Sequence, residues 1–282
     1  FPGQGSAFVG ILDAFWESKG LVTPEKFRES CAPTVLLARL PKRTFRNGEK
    51  LKAKMEIYHF GKDALNSRKL NWTLTGEDGT VYHKGSLKTK SIQPATVDSL
   101  GIIELPLDSA RKLTLKAELG GIHNEWDVWV YPEQPKTEQH NFVYTRTWND
   151  ETKQWLNEGK NVLLIPEKCK GRKAHFASHF WNPIMFNWNP MIVGTLIDNE
   201  HPAFRDFPTR NYADWQWWDI LNYSTALELD ELKEITPLIQ SIDSYETNQK
   251  LGISFEAKVG KGKLFVLCAD PEKKIDERPA MQ

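Results

Sequence analysis

The chain has 282 residues, with 37 Lys and Arg balanced by 37 Asp and Glu. This length predicts two domains rather than one. Hydrophobic residues make up 40% of the chain and charged residues 26%, which is typical of globular proteins and excludes a wholly disordered chain. The balanced charge disfavours a nucleic-acid partner, and apolar runs such as residues 264–268 are too short to cross a bilayer. We therefore expect neither nucleic acid binding nor a membrane span.

The cysteines are widely spaced and odd in number: Cys31, Cys169 and Cys268. This pattern argues against a disulfide framework and against a metal cluster of the CxxC type. We expect all three to be small apolar residues of the interior. No charged segment followed by an apolar one is present near Phe1, so a signal peptide is not visible.

Residues 1–32 contain one loop, an apolar run and one helix. Thr23 as N-cap and Pro24 at the first helical position predict the start of that helix. These elements are too few to close a hydrophobic core, so we expect them to be the end of a larger body.

Residues 33–133 alternate apolar and polar side chains over about seven short segments, as in residues 51–60 and 126–131. Gly, Asn and Asp turns separate the segments. The pattern predicts an immunoglobulin-like β-sandwich, although the Cys and Trp spacing of antibody domains is missing. Residues 132–139 are polar and contain prolines, which predicts a linker.

Residues 138–282 change to strand–helix alternation, which predicts an α/β three-layer domain. We expect a helix at residues 150–158 capped by Asp150 and a buried parallel strand at 161–165. A further helix is predicted at residues 214–221, and a hairpin closes the domain at 251–268.

Candidate chemical groups give no complete catalytic or metal site. His175 and His179 have the spacing of two ligands on one helix face, but zinc requires a third and a fourth ligand. Cys268 ends an apolar strand without the small-residue elbow and His partner of a nucleophile, so an independent cysteine hydrolase is a weak hypothesis. No pair of carboxylates suited to glycoside hydrolysis emerges, and we predict no cofactor.

Tryptophan is the unusual component, with 11 in the chain. Five of them lie in stretches rich in Asn, Asp and Gln: Trp181, Trp188, Trp215, Trp217 and Trp218. Indole rings beside amides are typical of carbohydrate sites, and equally of interfaces between domains. We favour the interface, and keep carbohydrate contact as the alternative.

Two long motifs carry a family resemblance. Residues 1–20 (FPGQGSAFVGILDAFWESKG) and 22–27 (VTPEKF) resemble the end of the catalytic barrel in glycoside hydrolase family 2. Residues 201–209, 214–218 and 250–262 are similar to the C-terminal region of the same proteins, which are β-galactosidase-like members from gut Bacteroidetes. The resemblance covers nearly the whole chain.

The resemblance implies a parent enzyme that hydrolyses a β-linked sugar by a retaining mechanism, with both catalytic glutamates upstream of Phe1. It implies that Gln4 and Trp16 lie near a sugar subsite, with packing against the barrel favoured for Trp16. It also implies a glutamine-amidotransferase-like α/β domain without activity, and a periplasmic or cell-surface location. We expect a non-catalytic accessory region whose partners are the upstream barrel and the parent's carbohydrate substrate, with homo-oligomer formation left open. The alternative is a stand-alone carbohydrate-binding module.

Overall fold

The computed structural model describes residues 10–133, 141–176, 192–244 and 247–281. The chain divides into two compact units, Phe1–Glu133 and Gln134–Gln282. The division falls in the segment where a linker is predicted, most of which lies outside the described residues. The first 30 residues do not form a unit of their own, because they are grouped with the first unit.

The first unit contains eight strands and one short helix. They are α1 (Pro24–Arg28), β1 (Thr34–Arg39), β2 (Thr44–Arg46), β3 (Lys50–His59), β4 (Lys69–Gly76), β5 (Val81–Lys88), β6 (Thr96–Pro106), β7 (Arg111–Leu119) and β8 (Ile122–Tyr131). One sheet has the order β1-β3-β6 and the other β2-β8-β7-β4-β5. All ladders in both sheets are antiparallel except β2 with β8.

The core of the first unit lies between its two sheets and makes it a β-sandwich. Alternate residues of β3 (Leu51, Ala53, Met55, Ile57) are fully buried, and so are Leu115 of β7 and Val128 of β8. Because side chains of a strand point alternately to opposite faces, the period of two in the sequence predicts this core directly. The strand that the pattern missed is β2, whose three residues are too few to show a period.

The second unit is built on a mixed sheet of eight strands. They are β9 (Phe142–Thr145), β10 (Asn161–Leu164), β11 (Gly171–Lys173), β12 (Ile192–Ile197), β13 (Thr225–Glu228), β14 (Pro237–Asp243), β15 (Lys250–Val259) and β16 (Gly262–Leu267). The path β11-β13-β15-β16-β10-β9 forms the sheet, and β14 pairs with both β12 and β15. Helix α2 (Asp150–Asn157) and the one-turn helix α3 (Trp218–Leu221) accompany it.

The three-layer α/β domain predicted for residues 138–282 is not shown by the described residues. The strands β9, β10 and β16 run parallel, as the apolar run at 161–165 predicts, but the other ladders are antiparallel. Parallel neighbours need covering crossovers, whereas antiparallel ones do not, so few helices accompany this sheet. Short strands at residues 171–173 and 225–228 take the place of part of the predicted alternation of strands and helices.

Helix α2 shows how the parallel part is covered. Its N-cap is Asn149, whose side chain accepts from the Thr152 N–H at 2.9 Å, rather than the predicted Asp150. Leu156 is buried on the strand side with Val162 and Leu264. At the start of β16, a Cβ at Gly262 would lie 2.1 Å from the Lys160 carbonyl oxygen. The backbone of β16 can therefore approach the backbone at Lys160 this closely only with glycine at position 262.

Candidate functional site: an aromatic patch, an exposed segment and a strand-end cleft

An aromatic patch, formed by Phe176, Trp215 and Trp218, lies on the surface of the second unit. Asp214 caps a 3₁₀ turn at Trp215–Trp217 that continues into α3. Residues three apart in such a turn share a face. The side chains of Trp215 and Trp218 are therefore presented together, with 47% and 45% of their surface exposed.

The three rings of the patch contact one another. The Phe176 ring centroid lies 5.1 Å from that of Trp215 and 5.4 Å from that of Trp218. The two indoles stack at 5.9 Å with an interplanar angle of 29°. Stacked rings hold each other's orientation, so a partner meets a rigid apolar platform. Contiguous exposed apolar surface of this kind marks interaction sites.

The structure places Trp217 in the interior, which corrects its prediction as a surface contact. It is 2% exposed, its indole N–H donates to Thr209 Oγ1 at 2.8 Å, and its ring meets the edge of Phe207 at 5.3 Å. Its neighbour Gln216 is also buried and donates to the Pro208 carbonyl oxygen. The turn thus divides the WQWW sequence into two buried and two exposed side chains. Trp181 and Trp188 lie outside the described residues.

The N-terminal segment, residues 10–33, exposes large apolar side chains along its length. The exposed ones are Ile11, Phe15, Trp16, Leu21 and Phe27. Phe15 is 83% and Trp16 70% exposed, and α1 has no buried residue. Trp16 also adopts a φ of 66°, a left-handed conformation that a bulky residue rarely takes. Gln4 lies outside the described residues, so no site that includes it can be located.

Polar contacts, rather than a core, hold this segment on the sandwich. Lys26 Nζ lies 2.9 Å from Glu125 Oε1. The Asn124 amide donates to the carbonyl oxygens of Glu29 and Leu36 at 3.0 and 2.8 Å. Burial alone would lower the pKa of Lys26, but its hydrogen bonds to the carboxylates outweigh burial and raise it. These contacts hold α1 and Glu29 on the sandwich, whereas Phe15 and Trp16 precede α1 and face solvent.

The strand-end cleft lies at the carboxyl ends of the parallel strands β9, β10 and β16. In sheets with parallel strands, ligands bind at this edge. Arg146 follows β9, Pro166 comes shortly after β10, and Cys268 follows β16 directly. All three line a cleft of about 470 Å³, together with Cys169, Lys173 and Lys273.

Two thiols, those of Cys169 and Cys268, line this cleft, although they are far apart in the sequence. Cys169 Sγ lies 3.3 Å from Cys268 Sγ, although the residues are 99 positions apart. Neither is in a disulfide, and Cys169 is half-buried whereas Cys268 is 5% exposed. The hydrogen bond between them lowers the pKa of Cys169 against the effect of burial. The pKa of Cys268 is raised by the same bond and by burial.

The cysteine prediction is therefore right for Cys268 and wrong for Cys31, which is exposed. No sequence signal joins Cys169 to Cys268, because the sheet order that brings them together depends on long-range pairing of β10 with β16. The cleft residues that the structure describes include no histidine.

Within the described ranges, no group of three or more His, Cys, Asp or Glu side chains is arranged to hold a metal ion. Burial lowers the pKa of His175, with Lys173 adding to the effect, and His179 lies outside these ranges. No helix among the described residues is long and apolar enough to cross a membrane.

Two family models match the chain. Residues 143–282 match DUF8487 and residues 49–132 match DUF8488, both described as domains of unknown function. No curated protein matches. Each match lies within one unit and names no activity.

Solved structures resemble the chain weakly. Spo0M, a sporulation control protein from Bacillus subtilis, is 15% identical with a TM-score of 0.28, and the match covers 36% of this chain and 50% of Spo0M. The CARDB domain of a Pyrococcus furiosus protein is 12% identical with a TM-score of 0.28, covering 34% of this chain and 91% of that domain. A Paenibacillus cycloisomaltooligosaccharide glucanotransferase is 10% identical with a TM-score of 0.29, covering 45% of this chain and 19% of that enzyme. Similarities at this level carry no inference about activity.

Proposed function

We propose that this chain is a non-catalytic accessory region of a glycoside hydrolase family 2-like enzyme that acts on β-linked sugars. In this proposal the first unit is an immunoglobulin-like sandwich. The N-terminal segment binds the catalytic barrel that precedes it in the same polypeptide. The parent enzyme works in the periplasm or at the cell surface.

The observation that carries the proposal is the exposure of Phe15 and Trp16. Monomeric proteins rarely leave several large apolar side chains of one short segment in water, because each buried side chain gains about 1.5–3 kcal/mol. Here α1 of the segment is held on the sandwich by Lys26 and by Asn124, which contacts Glu29. Phe15 and Trp16 precede α1 and are exposed, so they are available to a neighbouring domain of the same chain.

The aromatic patch supports the same assembly role. Trp is enriched at the centres of protein interfaces, and the patch is rigid and half-exposed. We infer that the patch contacts another domain of the parent.

The proposal is tested by co-expressing this chain with a second polypeptide, which consists of the part of the same reading frame that precedes residue 1. The wild-type chain should co-purify with that polypeptide, and the double variant Phe15→Ser/Trp16→Asn should lose at least about tenfold of the bound partner, since two buried aromatic anchors exceed 1.4 kcal/mol. Asn suits position 16 because it tolerates positive φ. A matched control is Val97→Thr/Ile102→Thr, which changes two side chains of the same unit that are 55% and 51% exposed.

Equal co-purification of all three proteins would contradict the docking role. The isolated chain should also fail to hydrolyse an aryl β-glycoside, because the proposed catalytic glutamates lie upstream. Turnover by pure wild-type chain would overturn the accessory assignment.

Carbohydrate binding is the second candidate function, favoured by the stacked indoles of the patch. Sugars stack on such rings through their apolar faces, so β-galactosides should quench tryptophan fluorescence. Trp215→Ala/Trp218→Ala should abolish the quenching, whereas Trp148→Ala, which removes another half-exposed indole of the same unit, should not. A flat titration of the wild-type chain would remove this candidate.

A further inference from the structure

We propose that Cys169 and Cys268 are a reversible dithiol site, which forms an intramolecular disulfide by exchange with a low-molecular-weight disulfide such as glutathione disulfide. The site is independent of the proposed docking role. It rests on the separation of the two sulfur atoms, on their place in the strand-end cleft and on the way in which the backbone holds each residue.

The two sulfur atoms are already within reach of each other. A disulfide needs Sγ atoms about 2.05 Å apart, and the reduced pair lies at 3.3 Å. The unfolded chain would bring residues 99 positions apart together only rarely. The fold therefore gives the second thiol a high effective concentration, which favours the second, intramolecular step of an exchange reaction.

The backbone holds one thiol firmly and leaves the other on a connecting loop. Cys268 donates its N–H to the Ile253 carbonyl oxygen, and its own carbonyl oxygen accepts from Thr225 N–H, both at 2.8 Å. Cys169 lies between β10 and β11, outside any strand. Its side chain can approach Cys268 by a change in this loop, without a change in the sheet.

The cleft gives an oxidant access to Cys169. Cys169 is half-buried in a cleft of about 470 Å³, whereas Cys268 is nearly enclosed. Arg146, Lys173 and Lys273 line the cleft together with the carboxylates of Glu167 and Asp270, which leaves one net positive charge to attract the carboxylates of glutathione. The lowered pKa of Cys169, caused by its hydrogen bond with Cys268, makes it the better nucleophile of the two.

The exchange proceeds in two steps. The Cys169 thiolate attacks one sulfur of glutathione disulfide, forms a mixed disulfide and expels one glutathione thiolate. Cys268 then loses its proton to solvent and attacks Cys169 Sγ, which breaks the mixed bond and expels the second glutathione thiolate. The two protein thiols lose two electrons and two protons, and one glutathione disulfide becomes two glutathione thiols.

Thiol counting on the intact chain tests the site. The chain is treated with glutathione disulfide, the remaining thiols are alkylated with N-ethylmaleimide, and the mass is measured. The reduced chain, denatured before labelling so that the buried Cys268 is accessible, should take three labels and the oxidised monomer one, at Cys31. Peptide mapping should find Cys169 linked to Cys268.

Two cysteine variants and a rate comparison serve as controls. Cys31→Ser should still form the intramolecular bond, and Cys169→Ser should not. Bond formation in the folded wild-type chain should be at least about tenfold faster than in guanidinium, because only the fold raises the effective concentration of the second thiol. The rate ratio needs no variant, so it remains decisive if a substitution impairs folding.

Three results would overturn the proposal: three labels after oxidation, glutathione retained on Cys169 without closure, or equal rates in the folded and unfolded chains. Each would mean that the separation of 3.3 Å is ordinary packing of two thiols.

Discussion

The two units of this chain are both rich in β-structure, but they differ in how their strands find their partners. In the sandwich, β7 pairs with its chain neighbour β8, whereas β3 and β6 pair residues that are 37 to 56 positions apart. In the second unit, β10 lies between β9 and β16, and about 100 residues separate β10 from β16. Long-range pairing brings together side chains whose proximity the sequence does not indicate.

The two units also place their charged groups differently. On the sandwich, Lys50 and Glu104 are both open to water, and the buried carboxylate of Glu56 is paired with the exposed side chains of Arg39 and Lys54. In the second unit, the side chain of Asp243 is 1% exposed and paired with Arg172, and it also accepts from Thr247 Oγ1 and Gln249 N–H. We therefore expect polar side chains to matter more for the stability of the second unit than of the first.

The largest expected effect is that of Asp243→Ala. This change leaves the partly buried Arg172 guanidinium without its carboxylate, which should lower the free energy of unfolding of the second unit by about 3 kcal/mol. Guanidinium unfolding measures this value. The control is Glu104→Ala, where an exposed pair should cost less than about 1 kcal/mol. Similar losses in both variants would mean that the two units do not differ in this respect.

The sandwich should instead be sensitive to its apolar core. Leu115→Ala removes a fully buried side chain from β7, and the cavity should lower the free energy of unfolding by about 2–5 kcal/mol. The exposed β6 residue Val97 gives the matched change, Val97→Ala, with an effect near zero. A core substitution that left the unfolding midpoint unchanged would refute the sandwich core described above.

A smaller effect is expected at the start of α2. Asn149→Ala removes the acceptor for the Thr152 N–H and should lower the free energy of unfolding by about 1 kcal/mol. Asp150→Ala should cost less, since that side chain lies after the cap and is fully exposed. If Asp150→Ala were the more damaging change, the capping role predicted from the sequence would be restored.

The smallest effect is a pH dependence in the sandwich. Hydrogen bonds from Lys54 and Arg39 lower the pKa of Glu56 below its usual value of 4.5. The stabilisation by the ionised carboxylate is therefore complete above that pH and is lost as the pH falls through the lower pKa of the folded state. Glu56→Gln should destabilise the sandwich at neutral pH, with a difference from wild type that shrinks as the pH falls below 4.5. A constant difference across this range would show that the carboxylate charge is not involved.

The sequence predicts the sandwich well, because a period of two reports which face of each strand is buried. The apolar run at 161–165 also predicts a strand correctly, although only the face of β10 that carries Val162 and Leu164 is buried. The sequence does not predict the division of the WQWW stretch, because the turn geometry at Asp214 decides which rings are exposed. Nor does it predict the pair Cys169 and Cys268, which depends on the sheet order of the second unit.

The most direct test of the accessory role is the size of the native polypeptide, measured by immunoblot of the source cells with an antibody against this chain. A catalytic barrel adds roughly 250 residues, so the account predicts a band well above the 32.5 kDa of this chain. That result would lead to assays of the intact protein on β-glycosides. A band at 32.5 kDa would contradict the account, because the exposed side chains of Phe15 and Trp16 would then have no covalently attached domain to bind.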